Sequence, residues 1–253
     1  MPWLEHERYE SEFAAETVRF ASVTSALDPA ARVPTCPEWT VRDLVGHVGR
    51  GHRSATTIVG QRLTGPQLSD AQAPGDPDTW PEWLTSGAQG LIAAIREAGF
   101  DQPVWTWQRD GTAGFWLRRL LHDELVHRFD AEMTAGRTGT VATDLAADGI
   151  CDLLDTASAL SRYTGRPTGF RELAGTGETL RFGATDHPAT WLAERTPDGV
   201  KWRYGDGEAA VSVSAPAREL LLMLNRRVEP TPDRIQVTGD RTLLDHWLAH
   251  SIF

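Results

Sequence analysis

The stretch LLHDELVHRFDAE, residues 120–132, lies inside a run from about Ala113 to Ala135 that reads as one helix closed by Gly136. At about 100° per residue, Asp123 and His127 stand one above the other, about 40° apart around the axis. Their line continues through Trp116, Leu120 and Ala131, which are apolar. Two groups able to bind a cation on an otherwise core-facing line are poorly explained by solvation. Two structural alternatives stand beside a metal site. Arg119, four residues before Asp123, would neutralise it without any ion. Glu124 and Arg128 share that spacing and read as a solvent-facing pair. Asp-x-x-x-His occurs by chance in many helices, so the stretch needs a third ligand from another element.

Working outward, helical patterns cover residues 5–27, 41–63, 80–98 and 144–163 as well, with Gly and Pro at the boundaries. Long helices joined by polar loops argue a helix bundle. The second helix follows from VPTCPEWTVRDLVGHVGRGHR, residues 33–53. Thr40 followed by Asp43 fits a capping box, with Asp in the place of the commoner Glu, so the helix starts near Val41. Its apolar stripe is Val41, Leu44, Val45 and Val48, and His47 lies beside it. His47 is either a buried histidine bonded to a carbonyl or the missing ligand. Glycines 46, 49 and 51 cost a helix roughly 1 kcal/mol each and point to close approach by a backbone or a ligand. Two histidines and one carboxylate suit zinc or another divalent ion with an open fourth position.

The period changes after residue 164. ETLRFGAT, PATWLAER, GVKWRYG, AAVSVSA and DRIQVTG read as strands, and Asp198-Gly199 is a hairpin signal. APARELLLMLNRR and DRTLLDHWLAH read as helices, the second capped by Asp240. The linker YTGRPTGFRELAGTG, residues 163–177, joins the two styles. The expected division is therefore 1–164 for a helical bundle and 165–253 for a small α+β domain.

A chain of 253 residues with 40% hydrophobic and 24% charged residues is of globular type. Its net charge of −10 disfavours nucleic acid as a partner. Two cysteines, Cys36 and Cys151, make no disulfide framework, which suits a reduced, cytoplasmic protein. Cys36 either faces a cleft or packs in a loop, and Cys151 reads as packing. MPWLEHERYESEF lacks an apolar core, so no signal peptide is expected. Runs such as Leu220–Leu224 are far shorter than the roughly 18 residues of a membrane span, so no membrane partner is expected. The ten tryptophans fill cores or line an apolar cleft.

Residues 33–53 together with HDELVHRFDAE resemble the mycothiol-dependent maleylpyruvate isomerase family of the DinB-like superfamily. The segments from TLRFGAT to TLLDHW resemble that family's C-terminal domain. The resemblance implies a DinB-like four-helix bundle followed by a small C-terminal α+β domain. It also implies a metal triad of His, Glu and His. The family pattern H-E-x-x-x-H falls on His122, Asp123 and His127, so the carried-over triad is His47, Asp123 and His127, with aspartate where glutamate is usual. Aspartate is one methylene shorter, which brings the metal closer to the helix or shifts the backbone. Glu124 and His52 are the substitutes to consider.

The resemblance further implies mycothiol as cosubstrate and zinc as the metal. The expected activity is thiol S-transfer or conjugation to an electrophilic small molecule. The alternatives are cis–trans isomerisation of maleylpyruvate, and a non-catalytic small-molecule or partner-binding protein in which Arg119 pairs with Asp123. A hydrolase using metal-bound water lacks a recognisable base. Arg226, after the helix ARELLLMLN, is where the family often carries an arginine. It is the expected substrate contact, or else a helix-end cation favoured by the macrodipole. The chain is expected to act as a monomer or homodimer.

Overall fold

The structure is a computed structural model that describes residues 4–108, 111–162 and 169–251. The expected linker over 163–177 and the loop over 101–111 therefore lie partly outside the described residues. The chain divides into two compact units, Leu4–Gly139 and Thr140 onward.

The first unit holds α1 (His6–Thr24), a two-stranded hairpin of β1 (Arg32–Val33) and β2 (Cys36–Thr40), α2 (Val41–Gly60), α3 (Trp80–Ala98) and α4 (Ala113–Thr134). The four helices fall within a few residues of the expected spans. The capping box sets the start of α2: the Asp43 N–H donates to Thr40 Oγ1 at 3.2 Å, and the Thr40 N–H donates to Asp43 Oδ2 at 2.9 Å. The Thr40 hydroxyl, which reaches Asp43 Oδ2 at 2.6 Å, and the Thr40 N–H hold the Asp43 carboxyl below its ordinary range. α2 packs on α3 and α1 on α4. The core between them includes Phe20, Leu44, Val45, Trp80 and Leu84, all fully buried. Gly49 is required by this packing, because a Cβ there would lie 2.1 Å from the Trp83 ring. Arg53 then lies over the same indole, 4.2 Å from its centroid.

α4 is buried along most of its length, charged residues included. This overturns the expected solvent-facing pair of Glu124 and Arg128. Glu124 is 1% exposed and accepts from Thr17 Oγ1 of α1 at 2.8 Å, with His52 Nε2 of α2 at 3.2 Å. Arg128 pairs instead with Glu16 of α1 and with Glu132. The i,i+4 spacing is present, but α1 and α2 offer both groups closer partners. A charge removed from water needs such partners wherever they come from.

The second unit holds α5 (Thr143–Leu160), β3 (Thr179–Ala184), β4 (Thr190–Thr196), β5 (Gly199–Tyr204), β6 (Val211–Ala215), α6 (Ala217–Leu224), β7 (Gln236–Gly239) and α7 (Arg241–His250). The strands form one sheet in the order β5-β4-β3-β6-β7, antiparallel except for the β3–β6 pair. Gly199 takes φ 105° at the β4–β5 turn, the conformation the Asp198-Gly199 signal demands. Asp240 caps α7, accepting from the Thr242 N–H at 2.9 Å and the Leu243 N–H at 3.2 Å.

α5 groups with this sheet, whereas the sequence pattern placed it with the bundle. Its Ser158 hydroxyl donates to Val200 O at 2.9 Å, and Asp155 accepts from Trp202 Nε1 at 3.0 Å. Cys151 is buried in the same contact, 2.7 Å from Tyr204 Oη and 3.1 Å from Trp191 Nε1. It packs, as expected. Among the described residues no helix is long and apolar enough to cross a membrane.

Candidate metal centre

Three elements of the first unit converge on one spot. α2 contributes His47 from the edge of its apolar stripe, with the side chain 38% exposed. α4 contributes Asp123 and His127, 27% and 9% exposed. The β1–β2 hairpin contributes Trp39, whose ring centroid lies 4.9 Å from that of His47 and 5.6 Å from that of His127. The two imidazoles meet edge to face at 4.8 Å.

His47 Nε2 lies 3.2 Å from Asp123 Oδ2, and His127 Nε2 lies 3.8 Å from the same oxygen. One donor atom from each of the three residues falls within 4.8 Å of the others. A tetrahedral ion with ligand bonds of about 2.0–2.1 Å spaces its ligands roughly 3.3 Å apart. The two separations from Asp123 Oδ2, 3.2 and 3.8 Å, are near that value, the whole set lies within 4.8 Å, and α4 runs through the position unbroken. The donor set, two imidazoles and one carboxylate, suits a small divalent cation.

Arg119 Nη2 does approach Asp123, at 3.4 Å, but it takes Oδ1 and leaves Oδ2 to the histidines. The ion pair and the three-residue cluster coexist. Burial pushes the Asp123 carboxyl up, yet the charge of His127, the hydrogen bond and charge of His47, and the charge of Arg119 outweigh it and hold it well below the ordinary carboxylate range. The ionised carboxylate is the form that binds a cation, and a bound cation would take over the place of the imidazole charges, since it needs both rings neutral.

Glu124 and His52 belong elsewhere, since both are 1% exposed and bonded to each other in the core. His122, the first residue of the matched pattern, is 2% exposed. Cys36 is half-buried beside the centre, its Sγ 3.8 Å from Asp130 Oδ2. Sequence reasoning missed Asp130, which touches His127 Nδ1 at 2.8 Å, and Thr35, whose hydroxyl donates to Asp130 at 2.6 Å. Asp130 was within reach of the pattern, standing one helical turn after His127. Thr35 and Trp39 were not, because the sequence reading left their hairpin as a loop.

Arg226 is exposed in the second unit, just past α6, in the left-handed conformation with φ 60°. Its N–H donates to Met223 O at 2.8 Å and that of Arg227 to Leu222 O at 2.7 Å, which together form a Schellman ending. Arg62 ends α2 in the same way at φ 50°. Among the described residues, the left-handed backbone at Arg226 is therefore a helix-end feature that a non-glycine residue adopts twice.

The fold and the cluster define a class: a four-helix unit with a His-Asp-His centre, followed in the chain by a helix-backed α+β unit. Residues 11–132 match the family profile described as the mycothiol maleylpyruvate isomerase N-terminal domain, and residues 144–246 match that family's C-terminal domain. The chain belongs to the mycothiol-dependent maleylpyruvate isomerase family. Its structure is similar to the crystal structure of a mycothiol-dependent maleylpyruvate isomerase, with TM-score 0.60 and 16% identity over 94% of this chain and 95% of that one. A point mutant of that enzyme matches with TM-score 0.58, again at 16% identity over 94% and 95% of the two chains. At that identity the likeness establishes the fold. No curated protein is similar enough to count as a relative.

Proposed function

We propose that this chain activates mycothiol at a zinc ion held by His47, Asp123 and His127 and transfers the thiol to an electrophilic small molecule. The observation that carries the reading is the convergence of two imidazoles and one ionised carboxylate, their donor atoms within 4.8 Å of one another. Bound there, zinc would supply an open fourth position and favour the thiolate form of a thiol.

The chain's own residues do the rest. Asp123 shares Oδ2 between the histidines while Arg119 holds Oδ1, which fixes the plane of the carboxylate. Trp39 lays an apolar face beside both rings and limits the approach of water from that side. Aspartate in place of the family's glutamate motivates transfer as the outcome. The second reading, cis–trans isomerisation of maleylpyruvate, is favoured by the family match along the chain. Both begin with the same thiolate addition, and they differ in whether the sulfur stays attached.

The test is to incubate zinc-loaded protein with mycothiol and either maleylpyruvate or an activated aryl halide, following products by mass spectrometry. A thiol conjugate supports transfer. Fumarylpyruvate formed without net thiol consumption replaces it with isomerisation. Neither product, in a protein purified without stoichiometric zinc, leaves a binding protein on this scaffold.

Arg226 is proposed as the contact for an anionic group of the substrate. Arg226→Gly removes a side chain from a left-handed position that suits glycine, and is expected to stabilise the protein by up to about 1 kcal/mol. It should raise KM for a carboxylate substrate at least tenfold. A raised melting temperature with KM unchanged would leave Arg226 as a helix-end residue only.

A further inference from the structure

We propose that Asp130, anchored by Thr35 of the β1–β2 hairpin, is a positioning residue that fixes the tautomer and ring angle of His127 and so presents Nε2 to the ion. The inference rests on the zinc reading above. The two nitrogens of His127 face different carboxylates. Nδ1 is 2.8 Å from Asp130 Oδ2, and Nε2 faces Asp123 Oδ2 at 3.8 Å. A neutral imidazole has one N–H to give. The shorter contact takes it, so Nδ1–H donates to Asp130 and Nε2 keeps the lone pair a cation requires.

Asp130 is fully buried, a costly place for a carboxylate unless its oxygens are used. Both are. Oδ1 accepts from the Thr35 hydroxyl at 2.6 Å, and Oδ2 takes His127 with Cys36 Sγ further off at 3.8 Å. His127 is thus tied to its own helix at i,i+3 and, through Asp130, to the hairpin. The same hairpin places Trp39 against the His127 ring. A segment with no ligand of its own thereby sets the direction of one.

The experiment compares wild type, Asp130→Asn and Asp130→Ala. In metal-free protein, at a pH where the ring is neutral, nitrogen–proton NMR correlations report which nitrogen of His127 carries the proton. Zinc affinity is read in parallel by competition with a chromophoric chelator. Wild type should show a single tautomer with Nδ1 protonated. Asp130→Ala should show a mixture and bind zinc about 10–100-fold more weakly. Asp130→Asn keeps an acceptor oxygen, so it should keep the tautomer and lose several-fold in affinity. A folded Asp130→Ala protein with a single tautomer and zinc affinity within twofold of wild type would overturn the proposal. If that variant does not fold, Asp130→Asn decides, and affinity within twofold of wild type overturns it. Wild type that binds no zinc refutes the zinc reading instead, while the tautomer comparison still decides what Asp130 does to His127.

Discussion

Under the proposed zinc reading, Asp123→Ala is expected to lose stoichiometric zinc, with affinity falling by more than the roughly 10–100-fold typical of an outer partner. Oδ2 of Asp123 is the atom both histidines face, at 3.2 and 3.8 Å, so its removal takes the one carboxylate out of the three-donor set. Arg119, which had Oδ1 at 3.4 Å, then stands beside the site with its charge less compensated and opposes a second cation. Both effects act against binding. The fold should be nearly indifferent, because Asp123 is 27% exposed and a partly solvated ion pair is worth about 0–1 kcal/mol. Asp123→Glu separates two views of the aspartate. The extra methylene pushes the carboxylate past spacings already near the roughly 3.3 Å edge of a tetrahedral zinc site. It should therefore bind zinc no more tightly than wild type. Metal content after purification without chelator, chelator competition and a thermal melt check both variants against wild type. A Glu variant that binds zinc tenfold more tightly would mean that the aspartate is a weakened ligand.

What the sequence could and could not reveal follows from the range of each signal. Helix starts and stops are local, and Thr40–Asp43, Asp198-Gly199 and Asp240 each act where the pattern placed them. The line joining Asp123 and His127 is also local, fixed by helical geometry alone, and His47 was found from its position beside an apolar stripe. The misreadings concern choice of neighbour. Glu124 and Arg128 have the spacing of a surface pair, but a periodicity does not say that α1 and α2 cover that face. α5 has an apolar face suited to either a bundle or a sheet, and its bonds to Val200 and Trp202 show which it covers. The hairpin over Arg32–Thr40 is too short to show alternation, so Thr35 and Trp39 carried no signal. Asp130 looked like one more charge on a charged helix, and its role depends on a partner 95 residues away in sequence.

Glu124→Ala should destabilise the first unit by about 3 kcal/mol, chiefly because His52, 1% exposed and 3.2 Å from Glu124, loses its partner at about 1–3 kcal/mol. Thr17, 2.8 Å from Glu124, keeps the carbonyl of Phe13 at 3.0 Å and loses less. Truncation also leaves a void that α1 and α2 can only partly close. For a unit of this size the loss corresponds to a melting shift of roughly 10 °C. Glu124→Gln keeps an acceptor and the volume, so it should cost less. Zinc affinity at a temperature where the variant is folded should stay within about threefold of wild type, because Glu124 lies about 100° around the helix from Asp123 and faces α1. Calorimetry and chelator competition on the two alanine variants therefore give opposite pairs of results. Asp123→Ala loses metal and keeps its melt, while Glu124→Ala keeps metal and loses its melt. If Glu124 were the ligand, as the family's glutamate first suggests for a neighbouring carboxylate, the pairs would exchange. That outcome would require α4 to rotate by a residue, taking Leu121 and Leu125, both fully buried, out of the core. The cost of exposing two leucines, about 3–6 kcal/mol, is what holds Asp123 beside His47 and His127 and Glu124 in the interior.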